Sequence, residues 1–341
     1  MTCKQMTQRI RSPVDHKKFL ASKSKVELLA FINRLNKSCF GQREAREESA
    51  VALRLITTFE TIRLKVDEIP ASHGRVRRFG DATFRQFCQW LVETAPELIS
   101  NLTNTILSIQ EKYELATYLV SSFGDQQRLD YGTGHETAQI IFLLCLYKLG
   151  ILLDRDIDSG AVALTVLKAY FVCCRRIQSE YLLEPAGSRG VWALDDYQCL
   201  AFLFGSAQHI GISVPAQYTI ENELNIDLVR SHESYSLFFQ GIAYAQLAKD
   251  KARRAPFAET SPVLFAFSSK SWIVINRAIL KYYESEVLGT FVVARHLRFG
   301  TLFPASWLSV NKRKDVPIAS SLPVERQNND ISNSPQKENC S

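Results

Sequence analysis

The sequence predicts an all-α protein built around one large helical domain, and three observations carry that prediction. Apolar residues recur at helical spacing: in KVELLAFINRLNKSCF, Leu28, Leu29, Ile32, Leu35 and Phe40 fall mostly on one face. Alternating strand patterns are scarce, and VVARHLRFG, residues 292–300, is the sole short candidate. Nothing in the order of segments alternates strand with helix, as a doubly wound parallel sheet requires.

The elements follow in chain order. ESAVALRLITTFETIRLKVDEI resumes the helical pattern after a polar break at Gly41. A turn around Pro70 to Gly74 leads into RVRRFGDATFRQFCQWLVETAPELISNL, where Asp81 is placed to cap the helix start. YELATYLVSSFG, the apolar run after Glu136, AVALTVLKAYFVCCRRIQSEYLL and DDYQCLAFLFGSAQHIG come next. SKSWIVINRAILKYYESEV, residues 269–287, is amphipathic and reads most simply as a core helix. From about Lys312 the chain turns polar and nearly free of aromatics, the composition of a disordered tail. The expected organisation is a flexible basic arm over 1–11, a helical domain over 12–310 and a disordered tail over 311–341.

Composition narrows the function classes. The 341 residues are 46% apolar and 22% charged, with a formal charge of +6, as in an ordinary globular protein able to bury a sizeable core. The positive excess gathers in the arm, where Lys4, Arg9, Arg11, Lys17, Lys18, Lys23 and Lys25 face only Asp15 and Glu27. No stripe of basic and aromatic residues recurs, which argues against nucleic acid as a partner. The longest apolar run, IIFLLCLYKLGILL, holds Lys148 and Gly150 and is too short to span a bilayer, which argues against a membrane. MTCKQMTQRIRSP lacks the apolar core of a signal peptide. The eight cysteines show no C-x-x-C spacing and several sit in apolar stretches, the pattern of reduced core thiols. Cytoplasmic residence is expected, with the nucleus as a second compartment because NKRK is a weak import signal.

Three stretches concentrate chemistry. In RLDYGTGHE, residues 128–136, Thr133 and Glu136 have the spacing of a capping box, and Gly132 and Gly134 allow a sharp entry into a helix. The same start suits an anion, with Arg128 adding a planar two-pronged donor. It is neither a Walker loop nor a dinucleotide fingerprint, and Gln139 replaces the second histidine of H-E-x-x-H. In EPAGSRGVWALDDYQCLAFLFG, residues 184–205, Asp195 reads as a helix cap, while the paired carboxylates beside a glycine-rich loop also suit magnesium. In FVVARHLRFGTLFP, residues 291–304, Arg295, His296 and Arg298 interrupt an apolar context, where a histidine is more often structural than catalytic.

Taken in order, RRFGDATFRQF, RLDYGTGHE, EPAGSRGVWALDDYQ, FGSAQ, APFAE and HLRFGTLFP resemble the signature blocks of the phosphotyrosyl phosphatase activator family, the protein phosphatase 2A activators. The resemblance implies core, lid and linker lobes within the helical domain and binding of the phosphatase 2A catalytic subunit, with its scaffold subunit as a further partner. It also implies ATP and magnesium at the joint surface, and peptidyl-prolyl cis/trans isomerase activity on a proline-containing peptide. By position, Arg128, Thr133 and Gly134 match nucleotide-phosphate contacts, and Val293 and His296 match a C-terminal nucleotide segment. Gly190 and Asp196 match magnesium-associated positions. Trp192 and Trp272 are the aromatic walls proposed for the isomerase groove, and Asp195 its polar anchor. Ala193, Ala201, Val274 and Val292 depart from the family pattern, as do Ser269 to Ser271 and Ala294 to Arg295.

Overall fold

Serine hydroxyls start the first helices. Ser12, Ser22 and Ser49 each accept the amide three residues on, opening α1 (Pro13–Leu20), α2 (Lys23–Ser38) and α3 (Ala50–Glu68). α4 (Phe84–Leu102) begins two residues later than the sequence suggests. Asp81 accepts the Thr83 amide at 2.8 Å and the Ser72 hydroxyl at 2.8 Å, so it shapes the turn ahead of the helix while Thr83 takes the cap position. α5 (Ile109–Ser121) carries a reciprocal capping box between Ser108 and Glu111.

The computed structural model describes residues 5–72, 80–186, 193–250 and 255–308. α6 (Thr133–Lys148) and α7 (Asp154–Asp158) follow, and a π-helical stretch, Ala161–Val166, runs into α8 (Leu167–Tyr181). α9 (Leu200–Gln208), α10 (Ile226–His232), α11 (Leu237–Asp250), α12 (Phe257–Thr260) and α13 (Pro262–Phe267) come next. α14 (Trp272–Tyr282) continues through a second π-helical stretch, Tyr283–Leu288, towards α15 (Phe291–Ala294). The strands β1 (Thr7–Gln8), β2 (Asp130–Tyr131), β3 (Glu184–Pro185), β4 (Thr219–Ile220), β5 (Glu223–Leu224) and β6 (Arg298–Phe299) are short clasps in an all-α fold. They pair as β1 with β6, β2 with β3 and β4 with β5.

The most apolar stretches lie at the centre. Every residue from Ile140 to Leu146 in α6 is buried, as is every residue of α9. Helices apolar on all sides belong inside a core, which accounts for the long apolar run without a bilayer. Among the described residues no helix is long and apolar enough to cross a membrane. α9 packs on α11 so closely that a Cβ on Gly205 would collide with the Phe238 backbone. Cys39, Cys88, Cys145, Cys173, Cys174 and Cys199 are buried free thiols.

Two expectations are corrected here. The described part of the basic arm is tied down: Thr7 pairs with Phe299, Gln8 with Arg298, and Met6 and Ile10 are buried. Charge counting overlooked these two apolar anchors. Within the expected strand VVARHLRFG, the valines belong to α15, and Arg298 and Phe299 alone are extended. The expected tail, 311–341, lies outside the described residues.

Candidate functional site

The loop before α6 is organised by one carboxylate. Asp125 Oδ1 accepts the amides of Gln127 and Arg128, each at 2.9 Å, while the Asp125 carbonyl takes the Leu129 amide at 2.8 Å. Leu129 is forced into the left-handed region, φ 56°, a conformation that costs a leucine about 1 kcal/mol. β2 then runs parallel to β3, pairing Asp130 with Glu184 and Tyr131 with Pro185. Gly132 is required at this contact, since a Cβ there would lie 2.7 Å from the Ala186 carbonyl oxygen. Two chemistry-bearing stretches far apart in sequence are thereby clasped together.

A cavity of about 360 Å³ opens at the start of α6. Arg128, Asp130, Gly134, His135, Val293 and His296 line its polar part, and Cys88, Val92, Tyr118 and Ile141 contribute an apolar part. Its size lies within the usual range for small-molecule pockets, roughly 300–1,000 Å³. The amides of Thr133 and Gly134 open α6 and have no carbonyl of their own helix to bond.

Charge in the cavity is balanced internally. Arg128 Nη1 lies 3.0 Å from Asp125 Oδ2, and its Nε donates to Asp130 Oδ2 at 2.7 Å. His135 Nδ1 lies 2.7 Å from the Ser121 carbonyl, which can only accept, so Nδ1 carries a proton. Nε2 of the same ring faces Asp130 Oδ1 at 3.7 Å. Burial alone would raise the Asp130 carboxyl, but the neighbouring His135 ring and the Arg128 guanidinium hold it below the usual carboxylate range. Burial, then the neighbouring Arg128 and Arg295 charges, push the His296 imidazole below its ordinary value.

With this geometry in place, likeness to known proteins becomes informative. Residues 6–305 match the family described as phosphotyrosyl phosphate activator (PTPA) protein. The chain belongs to the phosphotyrosyl phosphatase activator family. It is 36% identical over 301 residues to serine/threonine-protein phosphatase 2A activator 2 of Yarrowia lipolytica, covering 87% of this chain and 82% of that one. It is 33% identical over 281 residues to serine/threonine-protein phosphatase 2A activator of Drosophila melanogaster, covering 81% and 67%. The crystal structure of the PP2A phosphatase activator Ypa1 PTPA1 superposes with a TM-score of 0.73 at 26% identity, covering 89% of this chain and 96% of that one.

The other residues marked from the family resemblance separate into three groups. Arg128, Gly134, Val293 and His296 meet in the cavity, and Thr133 stands beside it at the helix start. Gly190 and Trp192 lie outside the described residues. Asp195, Asp196 and Trp272 are elsewhere in the fold. Asp195 Oδ2 accepts the amides of Tyr197 at 3.1 Å and Gln198 at 2.9 Å. It therefore caps a turn and not α9, whose cap position is Cys199. Asp196 is half-buried. Trp272 is 6% exposed, its indole N–H donates to the Val214 carbonyl at 2.9 Å, and its ring lies 4.5 Å from that of His209. It is a core side chain here and not a groove wall, because aromatic neighbours enclose it. Among the departures, Val292 is exposed at the cavity and Val274 is exposed on α14, while Ala193 and Ala201 are buried.

The capping box is also revised. Gly132 holds the cap position of α6, and no side chain caps it. Glu136, 1% exposed, points away and accepts the amides of Cys199 and Leu200, each at 2.9 Å, so it caps α9 across the fold. Burial pushes its carboxyl up to about 8 despite those two donors, with Asp195 adding to the rise. A second buried carboxylate escaped sequence reasoning. Glu114 accepts the Thr301 amide at 2.8 Å, the Leu302 amide at 2.9 Å and the Thr301 hydroxyl at 2.7 Å. Gly300 leaves the room that this carboxylate occupies, since a Cβ there would press on the Glu114 carboxylate unless it shifted. Asp125, Asp130 and His135 were also missed as cavity residues. The signal available for them was proximity to Arg128 within FGDQQRLDYGTGH.

Proposed function

We propose that this protein activates protein phosphatase 2A by binding its catalytic subunit, with the phosphates of ATP received at the Arg128 cavity. The single observation carrying the nucleotide half is that Arg128, Gly134, Val293 and His296, from two stretches far apart in sequence, line one cavity. The names of the relatives support the phosphatase half. Arg128 would clamp phosphate oxygens, and the Thr133 and Gly134 amides would add donors at the positive end of α6. Asp130 Oδ1 is buried without a hydrogen-bond partner, an orphan acceptor that a ribose hydroxyl would satisfy. Among the described residues no three His, Cys, Asp or Glu side chains are grouped to hold a metal alone. Magnesium takes few protein ligands and completes its shell from phosphates. Asp196 would contribute one ligand, directly or through water.

Peptidyl-prolyl isomerisation belongs to the same reading. It requires a dry groove that binds the twisted amide better than either planar form, lowering a barrier of about 18–20 kcal/mol. A second reading, a non-catalytic assembly factor that recognises the phosphatase surface, is favoured by the burial of Trp272 and the engagement of Asp195 with its own turn.

The test is reactivation of inactive phosphatase 2A catalytic subunit, with and without the scaffold subunit and with and without ATP and magnesium. Arg128→Ala is expected to reduce nucleotide-dependent reactivation about tenfold or more, and Asp196→Ala to weaken its magnesium dependence. No reactivation by folded wild type would sink the activator reading. A requirement for equimolar protein, with no acceleration of a proline peptide, would select the assembly factor.

A further inference from the structure

Beside the Arg128 cavity lies a second cleft, of about 630 Å³, between the N-terminal strand and the α15–β6 turn. We propose that this cleft is a separate binding site for a phosphoryl group. Arg11, Arg295 and Arg298 line it together with Gln5, Thr7 and Gln8, and no aspartate or glutamate does. None of the three arginines makes an ion pair among the described residues. The nearby Asp15 carboxylate is directed to α1, where it accepts the Arg11 backbone amide at 3.1 Å and the Ser12 hydroxyl at 2.9 Å.

Three uncompensated guanidinium groups around one concavity make a local positive field that attracts anions. A charge of about +3 is better matched by a phosphoryl dianion than by a single carboxylate, and the planar arginine fork fits phosphate oxygens. Arg295 lies over the Phe291 ring, 6.0 Å from its centroid, a contact that uses none of its N–H donors. The contrast with another cleft is instructive: there Arg43, Arg46 and Lys168 are offset by Glu44, Glu47 and Glu48. The arginine cleft shares Gln8 and Arg298 with the Arg128 cavity, yet Arg11 and Arg295 line it alone.

The experiment follows arginine Nε–H resonances of the full chain by NMR at constant ionic strength. Inorganic phosphate, a phosphoserine peptide and the same peptide with unmodified serine are titrated in turn. Saturable shifts at Arg11, Arg295 and Arg298 are expected. The combined variant Arg11→Gln and Arg295→Gln should weaken binding at least about tenfold, while Arg128→Ala should leave it unchanged. Free phosphate binding as well as the phosphopeptide would identify a small ion as the source, and a tighter phosphopeptide would identify a phosphorylated chain. Shifts confined to Arg128, unchanged affinity in the double variant, or equal binding of the serine peptide would each overturn the proposal. Because Arg128→Ala is the variant that weakens the nucleotide cavity, failure there and failure here are told apart.

Discussion

His135 and Glu136 are adjacent in sequence and face opposite environments. His135 turns into the cavity beside Asp130, while Glu136 turns inward and caps α9. On the cavity side, Arg128, Asp125 and Asp130 form ion pairs partly open to solvent, which an incoming anion can rearrange. On the inner side, Glu136 and Glu114 are closed off and matched to backbone amides. The difference shows that charge within one short motif divides by partner: side-chain partners can exchange with a ligand, and backbone partners hold the scaffold that places them.

The harshest way to break that comparison is Glu114→Ala. It removes the buried acceptor of the Thr301 and Leu302 amides and of the Thr301 hydroxyl, in a turn that is itself partly exposed. At about 1.5–3 kcal/mol for each hydrogen bond to a carboxylate, denaturant unfolding should show a loss of roughly 3 kcal/mol or more. A loss below about 1 kcal/mol would mean that Glu114 is not a structural anchor.

A pH series on Glu136→Gln sharpens the same contrast. The folded-state carboxyl stands at about 8, against about 4.5 for the ordinary group, so between these values the native state holds a proton that the unfolded chain has released. Its contribution is therefore full below about pH 4.5 and is lost as pH rises through about 8. Wild-type stability relative to the variant should fall by several kcal/mol across that window, at about 1.4 kcal/mol for each pH unit. A flat difference would show that Glu136 is ionised throughout.

The mildest effect belongs to the cavity. Asp125→Asn keeps an oxygen for the Gln127 and Arg128 amides while releasing Arg128 Nη1 from a partly exposed ion pair. Nucleotide should bind about two- to fivefold more tightly, less than about 1 kcal/mol, as calorimetry can measure. Weaker binding would make Asp125 part of the ligand's own contacts and dissolve the distinction between exchangeable and structural charge.

Much of this molecule was legible locally. Helical periodicity located α2, α3, α4, α6, α8, α9 and α14, because a helix buries one face, or all faces, of a contiguous segment. Arg128 and Gly134 stood out because the arginine, the glycines and the helix start that follows them are neighbours in sequence. The roles that depended on distant partners were misread. Thr133 and Glu136 had the spacing of a capping box, and spacing does not reveal that a buried carboxylate finds better donors at the start of α9. Trp272 was assigned to a groove from its type and position, yet His209, Phe238 and Phe239 enclose it. Met6 and Ile10 were hidden by the charges around them until β1 met β6. Short-range order and the helix start that follows Arg128 are thus properties of the sequence itself. Which charges face a ligand and which cap a distant helix was decided by tertiary contacts, because a buried carboxylate must be satisfied wherever the fold supplies donors.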